Sequence, residues 1–117
     1  MAIGDLSYVE YQKTLTTTNT DSSLANPSSS YETQITSIHV HLQGASGAST
    51  ARLVTFYKNG TATANELFSV KCDPAGNFSH IITDLRYKLT GTQTIYAKQD
   101  AGTDVNILIA TLREQVA

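Results

Sequence analysis

Apolar and polar residues alternate along most of this chain with the two-residue period of β-strands. The clearest run covers residues 34–42, where one face is apolar and the other carries two histidines. The apolar face of this run consists of Ile38, Val40 and Leu42. Ile35 falls on the opposite face, so we expect a β-bulge near Thr36.

Two other runs are apolar on both faces, at residues 51–58 and 105–112. This pattern is typical of strands that are covered on both sides. We therefore expect the first run to lie in the middle of a sheet and the second to be the most buried strand of the fold.

Helix signals are largely missing from the rest of the chain. Shorter runs predict strands over residues 13–18, 67–72, 78–82, 85–89 and 93–98. Asn59-Gly60 predicts a tight hairpin turn, because both residues readily adopt positive φ. Regularly spaced strands and turns predict an all-β fold, a single antiparallel β-sandwich or jelly-roll-like domain of about eight strands.

The N-terminal residues follow a different pattern. Three apolar residues there are spaced by three, as in a helix, and two tyrosines interrupt that stripe. A short helix and an extended arm are both compatible with this pattern. We expect residues 1–12 to form an N-terminal arm and residues 13–117 to form the β-sandwich domain.

Composition narrows the classes of function. The net charge of −2 and the scattered basic residues do not favour nucleic acid or an anionic membrane as a partner. Cys72 is the only cysteine, so no intramolecular disulfide can form. No stretch matches a secretory signal or a membrane span, so we expect synthesis and folding in a cytoplasm-like compartment.

Candidate chemistry is sparse. His39 and His41 share a strand face with Cα atoms about 7 Å apart, but no spacing directs further zinc ligands towards them. Asp100 and Asp104 offer two carboxylates, whereas a calcium loop needs at least about six oxygens, so we expect a capped turn. Cys72 shares an apolar face and predicts a buried, inert thiol. We expect no enzyme activity, no catalytic residue, no metal site and no cofactor.

Several of these segments, in this order, resemble small all-β virion proteins of tailed bacteriophages. The shared pattern comprises a Thr-rich strand, a Pro-containing loop, "x-I-T-S-I-x-V", "V-x-x-Y-x-N-G", a Gly turn before "x-I-x-A", and a closing "V-N-x-x-I-x-x-x-x-E". The matching residues are 14–18, 27, 35–40, 54–60, 91–97 and 105–114. The loop before Ile35 departs from the pattern, since relatives usually have an apolar strand leading into Pro-Ala-Gly there.

The resemblance implies a viral structural protein. We expect a capsid cement (decoration) subunit, assembled in the host cytoplasm and located in the virion, that stabilises the phage shell through contacts between subunits. Its partners would be the major capsid protein and copies of itself, with a homotrimer favoured, and neither nucleic acid nor a membrane. The alternative is a tail, fibre or adaptor component that binds a receptor or glycan through loops around residues 45–50 and 61–65.

Aromatic residues indicate where such contacts lie. The chain has six tyrosines and no tryptophan, and tyrosine is enriched at protein interfaces because its ring can be buried while its hydroxyl stays hydrogen-bonded. In this interpretation residues 1–12 are a docking arm. The expected interface residues are Ile3, Leu6, Tyr8, Val9, Tyr11, Tyr57 and Tyr96.

Overall fold

The computed structural model describes residues 2–17, 24–43 and 50–117. Within these ranges the chain forms nine β-strands, one short 3-10 turn (Thr63–Asn65) and no α-helix. The strands are β1 (Leu6–Thr14), β2 (Leu24–Ala25), β3 (Tyr31–Leu42), β4 (Arg52–Lys58), β5 (Glu66–Cys72), β6 (Ser79–Ile82), β7 (Tyr87–Thr90), β8 (Thr94–Gln99) and β9 (Val105–Gln115).

The strands form two antiparallel sheets that pack face to face. In the five-stranded sheet β9 lies between β1 and β3, and both β6 and β7 pair with the other edge of β3. The four-stranded sheet has the order β2-β8-β4-β5. The predicted all-β sandwich is confirmed, and both two-faced runs, now β4 and β9, are interior strands of their sheets.

Apolar side chains from both sheets fill the space between them. The largest fully buried ones include Phe56 of β4, Ile35 of β3 and Ile109 of β9. The predicted bulge is also present, since the pairing of β3 with β9 shifts register between Ile35 and Ser37. This extra residue restores the parity that places both halves of the long β3 against one core.

The first strand begins earlier than the predicted run at residues 13–18. β1 pairs with β9 in one unbroken register from Leu6↔Glu114 to Thr14↔Asn106. Most of residues 1–12 therefore lie in the sheet as a hydrogen-bonded edge strand. The division of the chain into a docking arm at residues 1–12 and a domain at residues 13–117 stays a prediction.

The connection after β4 is longer than the predicted tight hairpin. Asn59 does adopt a positive φ of 64°, but the chain continues through the 3-10 turn before β5 starts at Glu66. The backbone N–H of Asn59 donates to Thr94 O at 2.8 Å, and Asn59 Oδ1 accepts from Thr94 N–H at 3.1 Å. Asn59 is thus bonded to β8, and β8 lies on the opposite side of β4 from β5. These bonds direct the chain away from a two-residue hairpin turn into β5.

A buried asparagine joins the loops at one end of the sandwich. Asn26 is 4% exposed, and its side-chain nitrogen lies 2.8–2.9 Å from the carbonyl oxygens of Ser28, Tyr31 and Gly91. Its side-chain oxygen accepts from the Thr33 hydroxyl at 2.8 Å. One side chain therefore joins residues 28–33 to the turn at Gly91.

Replacing this side chain should destabilise the fold. Asn26→Ala leaves buried carbonyls and a hydroxyl without a partner, so we expect a loss of about 2–3 kcal/mol in the free energy of unfolding. Urea unfolding monitored by tyrosine fluorescence measures it. The control is Asn77→Ala in an exposed turn, which should change stability by less than about 0.5 kcal/mol. Equal stabilities of the two variants would contradict the role of Asn26.

Candidate protein interface

The turn at residues 100–104 is held by an ion pair between Arg52 and Asp104. Asp104 accepts from Arg52 Nε at 3.0 Å and from Gln99 Nε2 at 2.8 Å. The buried Gln99 in turn accepts from the Val105 N–H at 3.0 Å. A Cβ on Gly102, whose φ is +77°, would lie 2.8 Å from Arg52 Nη2, so the guanidinium packs where a side chain would be. These bonds connect β4 and β8 to the start of β9, that is, one sheet to the other.

The ion pair shifts the titration of both partners. The hydrogen bond from Arg52, opposed in part by burial, holds the pKa of Asp104 below its ordinary value of 3.8. The same hydrogen bond raises the pKa of Arg52. Both side chains are therefore charged over the whole neutral range.

The soft metal ligands of the sequence do not converge. His41 Nδ1 is hydrogen-bonded to the Ser79 hydroxyl on the neighbouring β6, and His80 Nε2 lies 2.8 Å from the Lys71 carbonyl oxygen. Cys72 is buried and free, and burial raises the pKa of its thiol, which makes it a poor nucleophile. Among the described residues, no three His, Cys, Asp or Glu side chains are grouped so that they could hold a metal ion.

The outer face of the five-stranded sheet carries the main exposed apolar surface. Its centre is β9, whose outward residues Leu108, Ala110 and Leu112 are only half-buried. On the edge strand β1, Tyr8 lies opposite Leu112 and is 85% exposed. On the other side of β3, Ile81 of β6 is 65% exposed. We call these five residues the outer apolar face.

Polar groups surround this face. Glu32 and Lys88 form an ion pair at 3.2 Å between β3 and β7. At the opposite end Asn106 Oδ1 accepts from the Thr14 hydroxyl at 2.7 Å and from Gln43 Nε2 at 2.6 Å.

Polar side chains also lie within the face, since His39 is between Leu108 and Ile81 and Glu10 is opposite Ala110. Apolar side chains mixed with polar groups are the usual composition of a non-obligate protein–protein interface.

The structure divides the predicted N-terminal interface residues into two groups. Ile3, Leu6 and Tyr8 are well exposed, at 74%, 60% and 85% respectively. Val9 and Tyr11 have the opposite parity on β1 and are half-buried, and Tyr11 packs against the core. Only the first group presents well-exposed side chains.

The other two predicted residues lie on the second sheet. Tyr57 and Tyr96 are opposite each other on β4 and β8 and share the outer face of the four-stranded sheet. Tyr57 is only 3% exposed, and the Lys98 ammonium lies 5.9 Å from its ring centroid. The structure therefore does not bring the two tyrosines together with the N-terminal residues.

The sequence prediction missed four members of the outer apolar face, namely Leu108, Ala110, Leu112 and Ile81. The signal for the first three was present, since β9 is apolar on both faces and a strand in a two-sheet sandwich has only one face in the core. Ile81 had no comparable signal, because its position beside His39 follows from strand pairing alone.

The described residues form surface depressions of mixed polarity. One of about 430 Å³ is lined by Asn59, Thr92, Gln93, Thr94 and Tyr96. A second of about 230 Å³ lies on the outer sheet face between β1, β3 and β9, next to Leu108. The predicted glycan-binding loop at residues 45–50 lies outside the described residues except for Thr50. No helix of the described ranges is long and apolar enough to cross a bilayer.

Comparison with known proteins finds similarity in structure alone. No family model and no curated protein matches this sequence. A chain in the acid-stable capsid structure of Helicobacter pylori bacteriophage KHP30 is 13% identical with a TM-score of 0.61, and the match covers 99% of this chain and 92% of that one. At this identity the match shows a shared fold.

Two further solved structures match over most of their length with lower scores. A chain of Bacillus endospore appendages, disulfide-linked pili, is 14% identical with a TM-score of 0.48, and the match covers 100% of this chain and 96% of that one. A chain of Desmodium yellow mottle tymovirus is 12% identical with a TM-score of 0.43, and the match covers 99% and 90% respectively.

The Asp104 ion pair predicts a pH dependence of stability. Because the folded-state pKa of Asp104 is lowered, its contribution is complete above about pH 4 and is lost as the pH falls through the folded-state pKa. Asp104→Asn should therefore lower the urea midpoint at pH 7, and the difference from the unmodified protein should shrink towards pH 3.

The matched control is Asp84→Asn, since Asp84 is exposed and forms no ion pair among the described residues. This variant should follow the unmodified protein at every pH. A difference for Asp104→Asn that stays constant from pH 7 to pH 3 would contradict the role of the carboxylate charge.

Proposed function

We propose that this chain is a structural subunit of a virus particle, and more specifically a cement (decoration) protein on the shell of a tailed bacteriophage. The observation that carries the proposal is the outer apolar face on a sandwich that shares its fold with a chain of a phage capsid. The match covers nearly all of both chains, so the capsid chain is also a small one. The sequence resemblance to small virion proteins supports the same role.

The mechanism is the burial of apolar surface between rigid bodies. Each square ångström of apolar surface removed from water contributes about 25 cal/mol, less the cost of association. The β9 part of the face loses little conformational entropy on binding, because hydrogen bonds to β1 and β3 already fix its backbone on both sides. Such a subunit binds across neighbouring shell proteins and resists their separation.

The partners that fit are the major capsid protein and copies of this chain. Tyr8 and Ile81 lie at opposite sides of the outer apolar face, on β1 and β6, so a partner that covers both must span the whole sheet. The polar rim would fix the orientation of the complex through hydrogen bonds and the Glu32–Lys88 pair.

The glycan-binding alternative has one observation in its favour, the open depression beside Tyr96. Its polar groups are already partly used within the fold. Asn59 Oδ1 accepts from the Thr94 N–H, and Gln93 Oε1 accepts from the Thr90 N–H at 3.0 Å. Fewer groups are left to bind a sugar, so the shell role is the better supported.

A charge placed on the outer apolar face should abolish binding to the shell. Ile81→Asp changes an exposed side chain and should leave the fold intact. Burial of its carboxylate in an apolar interface is unfavourable, so we expect at least about a tenfold loss of bound copies. The measurement is co-sedimentation of the purified protein with particles of its source virus that lack it, quantified by mass spectrometry.

The control is Leu53→Asp, because Leu53 is 44% exposed on the outer face of the other sheet. It should bind within about a factor of two of the unmodified protein. If Leu53→Asp lost binding and Ile81→Asp kept it, the interface would lie on the four-stranded sheet, which would contradict the role of the outer apolar face. Failure of the unmodified protein to bind would contradict the shell role itself.

A further inference from the structure

The edge strand β1 leaves one row of backbone groups unpaired. Among the described strands β1 pairs with β9 alone, so its other edge has no strand partner in that part of the chain. It is nine residues long, contains no proline and keeps one register throughout. An edge of this kind is a template for pairing with another strand.

Two hydrogen bonds at the ends of β1 show which backbone groups face outward. Gln115 N–H donates to Asp5 O at 3.0 Å, and Leu15 N–H donates to Val105 O at 2.8 Å. Because hydrogen-bonded pairs alternate along an antiparallel ladder, the odd-numbered residues between them also bond to β9. The N–H and C=O groups of the even-numbered residues therefore point to the free edge. These residues are Leu6, Tyr8, Glu10, Gln12 and Thr14.

The other sheet edges are less suited to pairing. β2 has two residues, and β6 and β7 have four each. β5 has seven, but its pairing with β4 shifts register opposite Phe56 and Tyr57, which leaves Leu67 as a bulge. Short and bulged edges are the usual protection against edge-to-edge association.

Lys13 provides protection of another kind on β1. Its side chain is half-buried on the core-side face of the edge strand and forms no ion pair among the described residues. An inward-pointing charge on an edge disfavours pairing with most strands, because it would be covered without a counter-charge. It favours a strand that places a carboxylate opposite it. Asp5 is the one carboxylate near β1 with the same parity as Lys13.

We propose that β1 pairs antiparallel with β1 of a second copy of this chain, with the two-fold axis at Val9. In this register Lys13 of each copy lies opposite Asp5 of the other, and the two Val9 side chains face each other. Tyr8 lies opposite Glu10, so its exposed ring gains a cross-strand neighbour.

Neighbouring registers that use the same hydrogen-bonding groups are less favourable. A shift that centres the axis on Glu10 places two carboxylates directly opposite, which is destabilising. A shift that centres it on Tyr11 places Lys13 opposite Val9 and leaves the charge unpaired. Charge complementarity therefore favours a second copy of this chain as the partner and the register centred on Val9.

The resulting contact is isologous and closed, as expected for two copies related by a two-fold axis. It joins two five-stranded sheets into one continuous sheet, which aligns the outer apolar faces of both copies on one side. The pairing differs from the homotrimer that the resemblance implies. It is argued from β1 alone and does not rest on the role proposed on a shell.

Charge reversal tests the register on the whole chain. By light scattering the unmodified protein should have twice the 12.6 kDa mass of one chain. Lys13→Asp and Asp5→Lys should each be monomeric at the same concentration, because like charges then face each other. The double variant, Asp5→Lys with Lys13→Asp, should regain the dimer mass. A monomeric or trimeric unmodified protein, or a double variant that stays monomeric, would overturn the proposal.

A cross-link provides a readout independent of stability. Val9→Cys should form an intermolecular disulfide on mild oxidation, because facing residues of a non-hydrogen-bonded pair have Cα atoms about 4.5 Å apart. Ser7→Cys is the control, since the two Ser7 positions are offset by four residues, about 13 Å along the strands. The native Cys72 is buried. Equal cross-linking of the two variants, or none by Val9→Cys, would contradict the register.

Discussion

The structure depends on a single strand that is hydrogen-bonded on both sides and apolar on both faces. β9 pairs with β1 along one edge and with β3 along the other. Its inward residues, among them Ile107 and Ile109, close the core against the four-stranded sheet. The apolar side chains on the outward face of β9 have no second sheet to pack against within the domain. The strand that completes the core therefore also creates the outer apolar face.

Polar side chains determine how the two sheets are joined around this core. At one end Asn26 binds carbonyls of residues 28–31 and of Gly91, and at the other Asp104 and Gln99 connect β4 and β8 to β9. Buried polar groups are costly unless satisfied, so these contacts fix loop positions that apolar packing alone leaves open. The rigidity they give the sandwich benefits any interface built on its outer faces.

Local patterns in the sequence predict the strands that carry strong alternation. The change of parity between Ile35 and Ile38 was sufficient to predict the bulge in β3, and the two-faced apolar runs were sufficient to place β4 and β9 inside their sheets. The register of β1 was not predictable in this way. Its alternation is mostly among polar and tyrosine residues, and an edge strand is defined by its pairing partner instead of its own hydrophobicity.

Contacts between distant segments explain what else escaped prediction. Nothing next to Asn26 in the sequence distinguishes it from other loop asparagines, since its partners at Thr33 and Gly91 are brought to it by the fold. The same holds for the outer apolar face, where Tyr8 and Leu112 meet only because β1 returns to pair with β9. Sequence spacing gives the face of each strand, and the topology decides which faces become one surface.

We propose that this chain is a repeated subunit of a viral shell. The most direct test of this proposal is the number of copies per particle relative to the major capsid protein, measured by quantitative mass spectrometry of purified virions. For a shell subunit we expect a count on the scale of the major capsid protein itself. A handful of copies would instead assign the chain to the tail or connector, and absence from the particle would contradict the claim altogether.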